Sequence, residues 1–188
     1  SKFKQPVPLD FVLRKIKKIN KKAVAGLLKQ HNRWWDAYWQ LSSLNVSDTV
    51  LMKAYYQGLH TMGACSRDSR FPPAIFGWVS TDNPAWNVDY HLNYNFQAPF
   101  YALYAANRVP QGETQDAPLI DFMARGTWYA HNITHTRGVL YPVGIGPLGI
   151  ETTRDFPAYS NSDNAQKGGL FFGQKSNAVY GLVNMAED

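Results

Sequence analysis

Two long stretches rich in glycine and proline most constrain what this chain can fold into. Residues 67–88 carry four breakers of regular structure: Pro72, Pro73, Gly77 and Pro84. Residues 138–175 are also rich in glycine and proline and show little helical periodicity. Loops of this length inside a compact domain usually serve a function. The sequence therefore predicts two long irregular regions between helical segments.

The N-terminal segment has the pattern of an amphipathic helix. Across residues 9–30, apolar side chains recur at helical spacing with lysines between them, and Asp10 lies in the first turn, where a negative charge is favoured. This pattern predicts one basic helix over 9–30. The sequence of residues 33–42 predicts a short helix or turn that presents three tryptophans: Trp34, Trp35 and Trp39.

The remaining periodic segments predict further helices. Residues 48–66 have the spacing of a helix that Ser47 or Asp48 can cap. A helix is expected at about 89–107, kinked or interrupted by Pro99. We also predict a polar loop at 108–117 and helices near 116–130 and 174–187. With no strong alternating strand pattern and no obvious repeat, the chain is predicted to be mainly α, with five or six helices.

Positive charge is concentrated at the N-terminus. The net charge of the chain is +5, but residues 1–29 carry about +8 and residues 30–188 about −3. Nucleic-acid binding would therefore depend on the first segment alone. We expect a solvated basic face on a packed helix, with membrane-surface or nucleic-acid binding as the alternative. The predicted partners accordingly include neither nucleic acid nor a membrane, and the oligomeric state stays open.

Signatures of metal, nucleotide and disulfide chemistry are missing from the sequence. Cys65 is the only cysteine, so no internal disulfide can form. No dinucleotide, Walker, zinc-protease or serine-hydrolase motif occurs. His131 and His135 are four residues apart and could share a helix face, but a third ligand is not evident. We therefore predict neither a metal site nor a cofactor.

The stretch WNVDYHLNYNFQAPFYALY, residues 86–104, combines aromatic and amide side chains. Sugar binding needs aromatic faces against the ring and polar groups around its hydroxyls. Seven residues offer both: Trp78, Trp86, Tyr90, His91, Asn93, Asn95 and Gln97. In an extended stretch Asn93 and Asn95 would face the same side, whereas within a helix they diverge by about 200°. A helix start or a loop would let both reach one cavity. Composition leaves open whether these amides bind sugar or brace the backbone of an irregular junction.

The order of these residues resembles the central segment of glycoside hydrolase family 95. The segment YYQGLHTMGACSRDSRFPPAIFGWVSTDNPAWNVDYHLNYNFQAPFYALYAAN has a tyrosine-bearing helix, an Arg/Pro loop, a Gly-x-Trp, a tryptophan stretch and a Leu-Asn-x-Asn-x-Gln motif. A second block, WYAHNITHTRG, is similar to the family's His/Asn/Thr stretch and contributes His131, Asn132 and Thr134. The segment GGLFFGQKSNAVYGLVN is similar to a later barrel helix.

This resemblance implies an (α/α)6 barrel and an inverting enzyme acting on α-L-fucosides or related glycosides. Paired asparagines in that family position and activate the attacking water together with a carboxylate. The resemblance carries this catalytic role to Asn93 and Asn95. It implies substrate contacts, with an oligosaccharide or glycoside, for Trp78, Trp86, Tyr90, His91, Gln97, His131 and Asn132. A periplasmic or secreted location follows from the same resemblance.

The carboxylates of the expected mechanism are the missing part of the comparison. Inversion uses two carboxyl groups about 6.5–9.5 Å apart, yet only Glu187 lies near one of the family's positions. Four other acidic residues are chemical candidates, although turn or cap roles are the commoner use of such residues: Asp82, Asp89, Asp121 and Glu151. A non-catalytic carbohydrate-binding or scaffold protein is therefore the alternative function.

The long loops also bear on how much of a barrel the chain can contain. A ring of twelve helices with short links needs roughly 190 residues, and this chain spends many residues on its two loop regions. We expect residues 1–188 to form one domain or part of a larger helical-barrel catalytic domain. Residues 1–30 would be the basic helix that leads into it.

Overall fold

A computed structural model describes residues 8–74, 89–152 and 176–186. The chain divides into two compact units, residues 1–43 and 44–188. The α-helices of the described ranges are α1 (Pro8–Ile16), α2 (Lys21–Trp39), α3 (Thr49–Cys65), α4 (Ala98–Ala105), α5 (Val109–Gly112), α6 (Asp116–Asn132) and α7 (Asn177–Met185). The prediction of a mainly α chain is confirmed, and no closed barrel is visible in the part of the chain that is described.

The prediction of one helix over 9–30 is wrong, because the first unit contains two helices, α1 and α2. The chain leaves the helical conformation after α1, and Asn20 starts α2 by accepting a hydrogen bond from the Ala23 N–H at 2.9 Å. Apolar spacing continues across this break, so periodicity could not reveal it. The apolar face of α1 is exposed, Leu9 by 67% and Ile16 by 54%, which differs from the packed helix we expected.

The predicted short helix or turn at 33–42 belongs mostly to the last turns of α2. Its aromatic rings stack on one another at i, i+4 spacing, which lies on one helix face. Trp34 stacks on Tyr38 at 5.1 Å between ring centroids, and Trp35 stacks on Trp39 at 5.6 Å. These contacts bury Tyr38 and fix the ring positions within the unit.

The helix predicted at 48–66 is confirmed as α3. Its cap is Asp48, whose Oδ1 accepts hydrogen bonds from the Val50 and Leu51 N–H groups at 2.9 and 3.0 Å. The Tyr56 hydroxyl lies 3.0 Å from both the N–H and the carbonyl oxygen of Leu44. This pair of contacts holds the chain that precedes α3 against the helix.

The helix predicted at 89–107 is wrong in its first half. The chain there forms a short strand and a turn, and α4 starts only at Ala98. Pro99 lies in the first turn of α4, where its missing N–H costs no helical hydrogen bond, so it starts a helix rather than kinking one. Asn107, with φ +59°, ends the helix, and the Arg108 N–H donates to the Leu103 carbonyl at 2.7 Å.

The later helices follow the prediction more closely. The expected polar loop at 108–117 is instead α5 followed by a 3-10 turn, Glu113–Gln115. The helices predicted near 116–130 and 174–187 are confirmed as α6 and α7. No helix in the described residues is long and apolar enough to cross a membrane.

A small antiparallel sheet, which the sequence did not predict, pairs residues 90–91 with residues 144–151 in the second unit. Its strands, in spatial order, are β1 (Tyr90–His91), β2 (Gly144–Gly146) and β3 (Ile150–Glu151). Tyr90 pairs with Ile145, which pairs with Glu151. Strands of two or three residues are too short for alternation to be recognised in a sequence. The sheet nevertheless fixes where the chain enters the predicted asparagine region.

The segment that leads into and out of β2 packs closely against α6. Gly149 has φ +67°, and a Cβ atom there would lie 2.5 Å from the Asp121 carbonyl oxygen. The Leu140 N–H donates to the Gly126 carbonyl at 3.0 Å, and the Tyr141 hydroxyl donates to the Leu119 carbonyl at 2.6 Å. These contacts hold residues 138–149, hereafter the glycine segment, against α6.

Candidate active site

Asn93 and Asn95 lie in a turn between β1 and α4, hereafter the asparagine turn, residues 92–97. The turn is anchored at its start by the Leu92 N–H, which donates to the Val143 carbonyl at 2.6 Å. The Phe96 N–H donates to the His91 carbonyl at 2.9 Å and closes it. Leu92 and Phe96 are fully buried. The apolar members of the turn therefore hold it on the core.

The two asparagines occupy the half-buried positions of this turn. Between them lies Tyr94, which is 58% exposed and has φ +116°, a region that side chains rarely adopt. The Asn93 Oδ1 atom is shielded from solvent and accepts no hydrogen bond from any described residue. A buried carbonyl oxygen without a donor is costly. A water molecule or a hydroxyl group could satisfy the Asn93 oxygen.

Gln97, the last residue of the turn, has a buried side chain that does not line an open cleft. Its side chain is fully buried, and its Nε2 donates to the Leu92 carbonyl at 2.8 Å. This bond joins the last residue of the turn to the first. One N–H of the Gln97 amide is therefore used by the turn's own backbone.

Tyr90 is a core residue on the inner side of the sheet. It is 2% exposed, stacks on Phe96 with 4.6 Å between ring centroids, and donates its hydroxyl to the Pro72 carbonyl at 3.1 Å. Burial, and secondarily the negative charge of Asp68, raises the pKa of Tyr90 above its ordinary value. The phenol is held neutral and supports the turn from below.

His91 points to the other face of the sheet, since successive strand residues alternate. Its Nδ1 lies 3.3 Å from the nearer carboxylate oxygen of Asp89, and both side chains are partly buried. Gly144 pairs with His91 across the strands and brings no side chain of its own to that position. Asp89 can thus hold the imidazole in one tautomer beside the asparagine turn.

The other predicted substrate residues lie at the end of α6 or outside the described ranges. His131 and Asn132 are exposed at the end of α6, and the Asn132 Nδ2 donates to the Trp128 carbonyl at 2.8 Å. Trp78 and Trp86 lie outside the described residues, as do Asp82 and Glu187.

Glu151 is one of the acidic residues that the sequence offered as candidates by chemistry, without a role. It lies opposite Ile145 on β3, and Ile145 lies opposite Tyr90 on β1. Directly paired residues share a face, so Glu151 lies on the side of the sheet that carries Tyr90. Its side chain is half-buried, whereas Asp121 on α6 is exposed. The sequence alone could not assign Glu151 to this face of the sheet, because the assignment depends on the register of the strands.

Two apolar surface grooves of the second unit are separate from these polar groups. A groove of about 480 Å³ lies between α3 and α4, lined by residues such as Leu59, Met62 and Leu103. Another of about 360 Å³ lies between α6 and α7. None of the predicted site residues lines either groove. Among the described residues no cluster of His, Cys, Asp and Glu could hold a metal ion.

Comparison with known proteins identifies a family. Residues 22–175 match the glycosyl hydrolase family 95 catalytic domain. The chain is also 26% identical over 187 residues to Probable alpha-fucosidase A of Aspergillus niger, an alignment that covers 87% of this chain and 23% of that protein. The chain therefore spans about a quarter of the length of this relative. No solved structure matches the chain. The matched range contains the asparagine turn, the sheet and α6, and leaves out α1.

Proposed function

The chain belongs to glycosyl hydrolase family 95, and on that premise we propose that it forms part of an inverting glycoside hydrolase acting on α-L-fucosides or related glycosides. In this proposal Asn93 and Asn95 hold the attacking water. The name of the similar Aspergillus protein, an alpha-fucosidase, supports the choice of sugar. The family match across the asparagine turn is the observation that carries the proposal.

The chemistry of the amide group suits this role. An asparagine side chain accepts hydrogen bonds through Oδ1 and donates them through Nδ2, so two amides can fix both the position and the orientation of one water molecule. The Asn93 Oδ1 lacks a donor among the described residues. A water bound there would donate a hydrogen bond to this oxygen, keep its other proton for the carboxylate, and direct a lone pair towards the anomeric carbon. Such preorganisation lowers the barrier because the water need not be oriented during the reaction.

Inversion places two further demands on the complete site. A carboxylate takes the second proton of the water, and a carboxylic acid protonates the leaving oxygen on the opposite face of the sugar. Neither group is assigned within this chain. Asp89 is paired with His91, which favours an orienting role for Asp89 over that of a base. This contact places the His91 ring beside the asparagine turn, with Asp89 behind it.

The test is a screen of the intact protein against nitrophenyl glycosides and against fucosylated and galactosylated oligosaccharides. We expect hydrolysis of α-L-fucosides or of a closely related sugar. Asn45→Ala, at an exposed asparagine away from the turn, is the control and should hydrolyse at the wild-type rate. Binding of the same sugars without turnover would favour the non-catalytic carbohydrate-binding alternative and contradict the enzyme proposal.

A further inference from the structure

We propose that Gln97 is a positioning residue that sets the geometry of Asn93 and Asn95 and does not itself contact the sugar. The proposal rests on the proposed function in that it concerns the same water. It assigns Gln97 a role other than the substrate contact implied by the family resemblance. The observation behind it is the hydrogen bond from the Gln97 Nε2 to the Leu92 carbonyl at 2.8 Å.

The first argument is accessibility. Gln97 is fully buried, with 0% of its surface exposed. A sugar hydroxyl cannot reach this amide unless the turn opens. By contrast, the asparagines lie at half-buried positions two and four residues earlier. Within the turn, the Gln97 side chain is therefore shielded where the asparagine side chains are partly accessible.

The second argument is connectivity. The Gln97 bond spans the turn, and the carbonyl that accepts it belongs to the residue directly before Asn93. The same residue is fixed on its other side by the Leu92 N–H, which donates to the Val143 carbonyl at 2.6 Å. Gln97 thus supplies one of two bonds that fix the backbone from which Asn93 projects. Loss of this bond would let that backbone rotate without removing either asparagine.

The third argument is strain. Tyr94 lies between the asparagines at φ +116°, which the chain maintains only where surrounding contacts hold it. Two described bonds that close the turn are such contacts: the Phe96 N–H donates to the His91 carbonyl, and the Gln97 side chain donates to the Leu92 carbonyl. When it is removed, Tyr94 can relax towards ordinary backbone angles. Both neighbouring amides would then move.

The chain offers a matched control for Gln97→Met. Gln115 is also fully buried and also donates through Nε2, to the Tyr104 hydroxyl at 3.2 Å, but it lies in the 3-10 turn before α6. Gln115→Met should therefore lower the melting temperature about as much as Gln97→Met does. A general loss of stability would affect the activity of both variants alike. An effect on positioning would affect only the Gln97 variant.

Steady-state kinetics of the intact protein on a nitrophenyl α-L-fucoside separate positioning from sugar contact. For Gln97→Met we expect kcat to fall at least tenfold with KM within about twofold, because an interaction needed only in the transition state is weakened. Gln115→Met should retain the wild-type kcat. A raised KM with unchanged kcat would overturn the proposal and indicate direct contact with the sugar.

A second variant, Gln97→Glu, adds a pH dependence. The neutral carboxyl retains an O–H that can donate to the Leu92 carbonyl, whereas the ionised form cannot donate. Burial raises the pKa of such a carboxyl, so activity relative to wild type should be best at low pH and fall as pH rises. A ratio that stays constant with pH would count against the proposal. This variant also serves if Gln97→Met fails to fold.

A readout that needs no turnover separates this inference from the proposed function. In ¹H–¹⁵N spectra, the side-chain NH₂ signals of Asn93 and Asn95 should shift or broaden in Gln97→Met and stay unchanged in Gln115→Met. If the wild-type protein hydrolyses no glycoside yet these signals move as expected, the proposed function fails and the positioning role stands. If they do not move in Gln97→Met, the positioning role is contradicted whatever the activity.

Discussion

The asparagine turn and the glycine segment both flank the small sheet, but they use their polar groups differently. In the glycine segment, the Tyr141 hydroxyl and the Leu140 N–H are satisfied by carbonyls of α6. In the asparagine turn, the Asn93 Oδ1 is buried without a donor among the described residues, beside Tyr94 at φ +116°. One segment is built for close packing, and the other keeps strain and an unmet acceptor.

This difference indicates where stability and function separate in the chain. Strain and unsatisfied polar groups persist in proteins where the surrounding structure holds them, and they concentrate at functional sites. The glycine segment provides such a support, because β2 pairs directly with β1 at the entrance to the turn. Substitutions in the turn should therefore change activity more than stability. Substitutions in the glycine segment should do the reverse.

The largest effect is expected for Asn93→Ala. Removing a preorganised group that acts on the reacting atoms typically costs about 10²–10³ in rate, so kcat should fall by about that factor in the intact protein. Stability should change little, because the lost oxygen has no donor in the described structure. Steady-state kinetics and thermal unfolding measure the two quantities, with Asn45→Ala as the control. Unchanged kcat would remove the functional half of the comparison.

Next in size is the loss of stability expected for Gly149→Ala. The new Cβ would meet the Asp121 carbonyl at 2.5 Å, in a backbone at φ +67°. Strain and overlap together should cost about 3 kcal/mol of unfolding free energy. Gly138→Ala is the control, since φ is +105° there but nothing lies within 4 Å, and it should cost about 1 kcal/mol. Equal losses in denaturant unfolding would refute the role of close packing.

A smaller loss, about 1.5 kcal/mol, is expected for Tyr141→Phe, which removes the hydrogen bond from the Tyr141 hydroxyl to the Leu119 carbonyl. Burial raises the pKa of Tyr141 to about 12 from an ordinary 10. The folded state therefore holds this proton more tightly than the unfolded state. Its contribution to stability is complete below pH 10 and is lost as pH rises through 12. Unfolding of wild type and variant across this range should show a shallower decline for Tyr141→Phe.

That decline should not vanish in Tyr141→Phe. The pKa of Tyr90 is raised in the same direction, mainly by burial, and this tyrosine is still present. Its loss of the proton at high pH continues to favour the unfolded chain. A pH-independent stability in the variant would show that Tyr90 is not buried as described.

The smallest effect is expected for Tyr94→Gly. Relief of the positive φ should return about 1–3 kcal/mol, and the greater freedom of glycine in the unfolded chain should remove about 0.5–1 kcal/mol. We expect a net gain of about 1 kcal/mol in unfolding free energy together with a lower kcat. A gain in stability with a loss of activity would sharpen the contrast between the two regions. A loss of stability would mean that the turn is not strained.

The sequence predicted helices well where local signals were complete. Asp48 before an apolar periodic run correctly located the start of α3. The break between α1 and α2 was missed because apolar spacing crosses it unchanged, and Asn20 resembles one more polar position until its hydrogen bond is seen. Pro99 predicted a kink, yet proline is equally compatible with a first helical turn. The small sheet depends on long-range pairing that no local pattern encodes.

The site residues remain a prediction, and local sequence patterns could not show which of their side chains are buried. The family resemblance selected Asn93 and Asn95, and the structure places both at half-buried positions of one turn. Burial of Gln97 and Tyr90 could not be predicted, because an amide or a phenol beside aromatic residues suits a sugar site and a core equally well. The position of Glu151 opposite Ile145 required the register of three very short strands.

The anomeric configuration of the first product tests the central claim most directly, namely that the asparagine turn holds a water that attacks the sugar in one step. The intact protein would be mixed with an α-L-fucoside, and ¹H NMR would follow the anomeric protons before mutarotation. Single displacement by water predicts that β-L-fucose appears first and equilibrates later. Initial release of α-L-fucose would indicate a covalent intermediate and contradict the account.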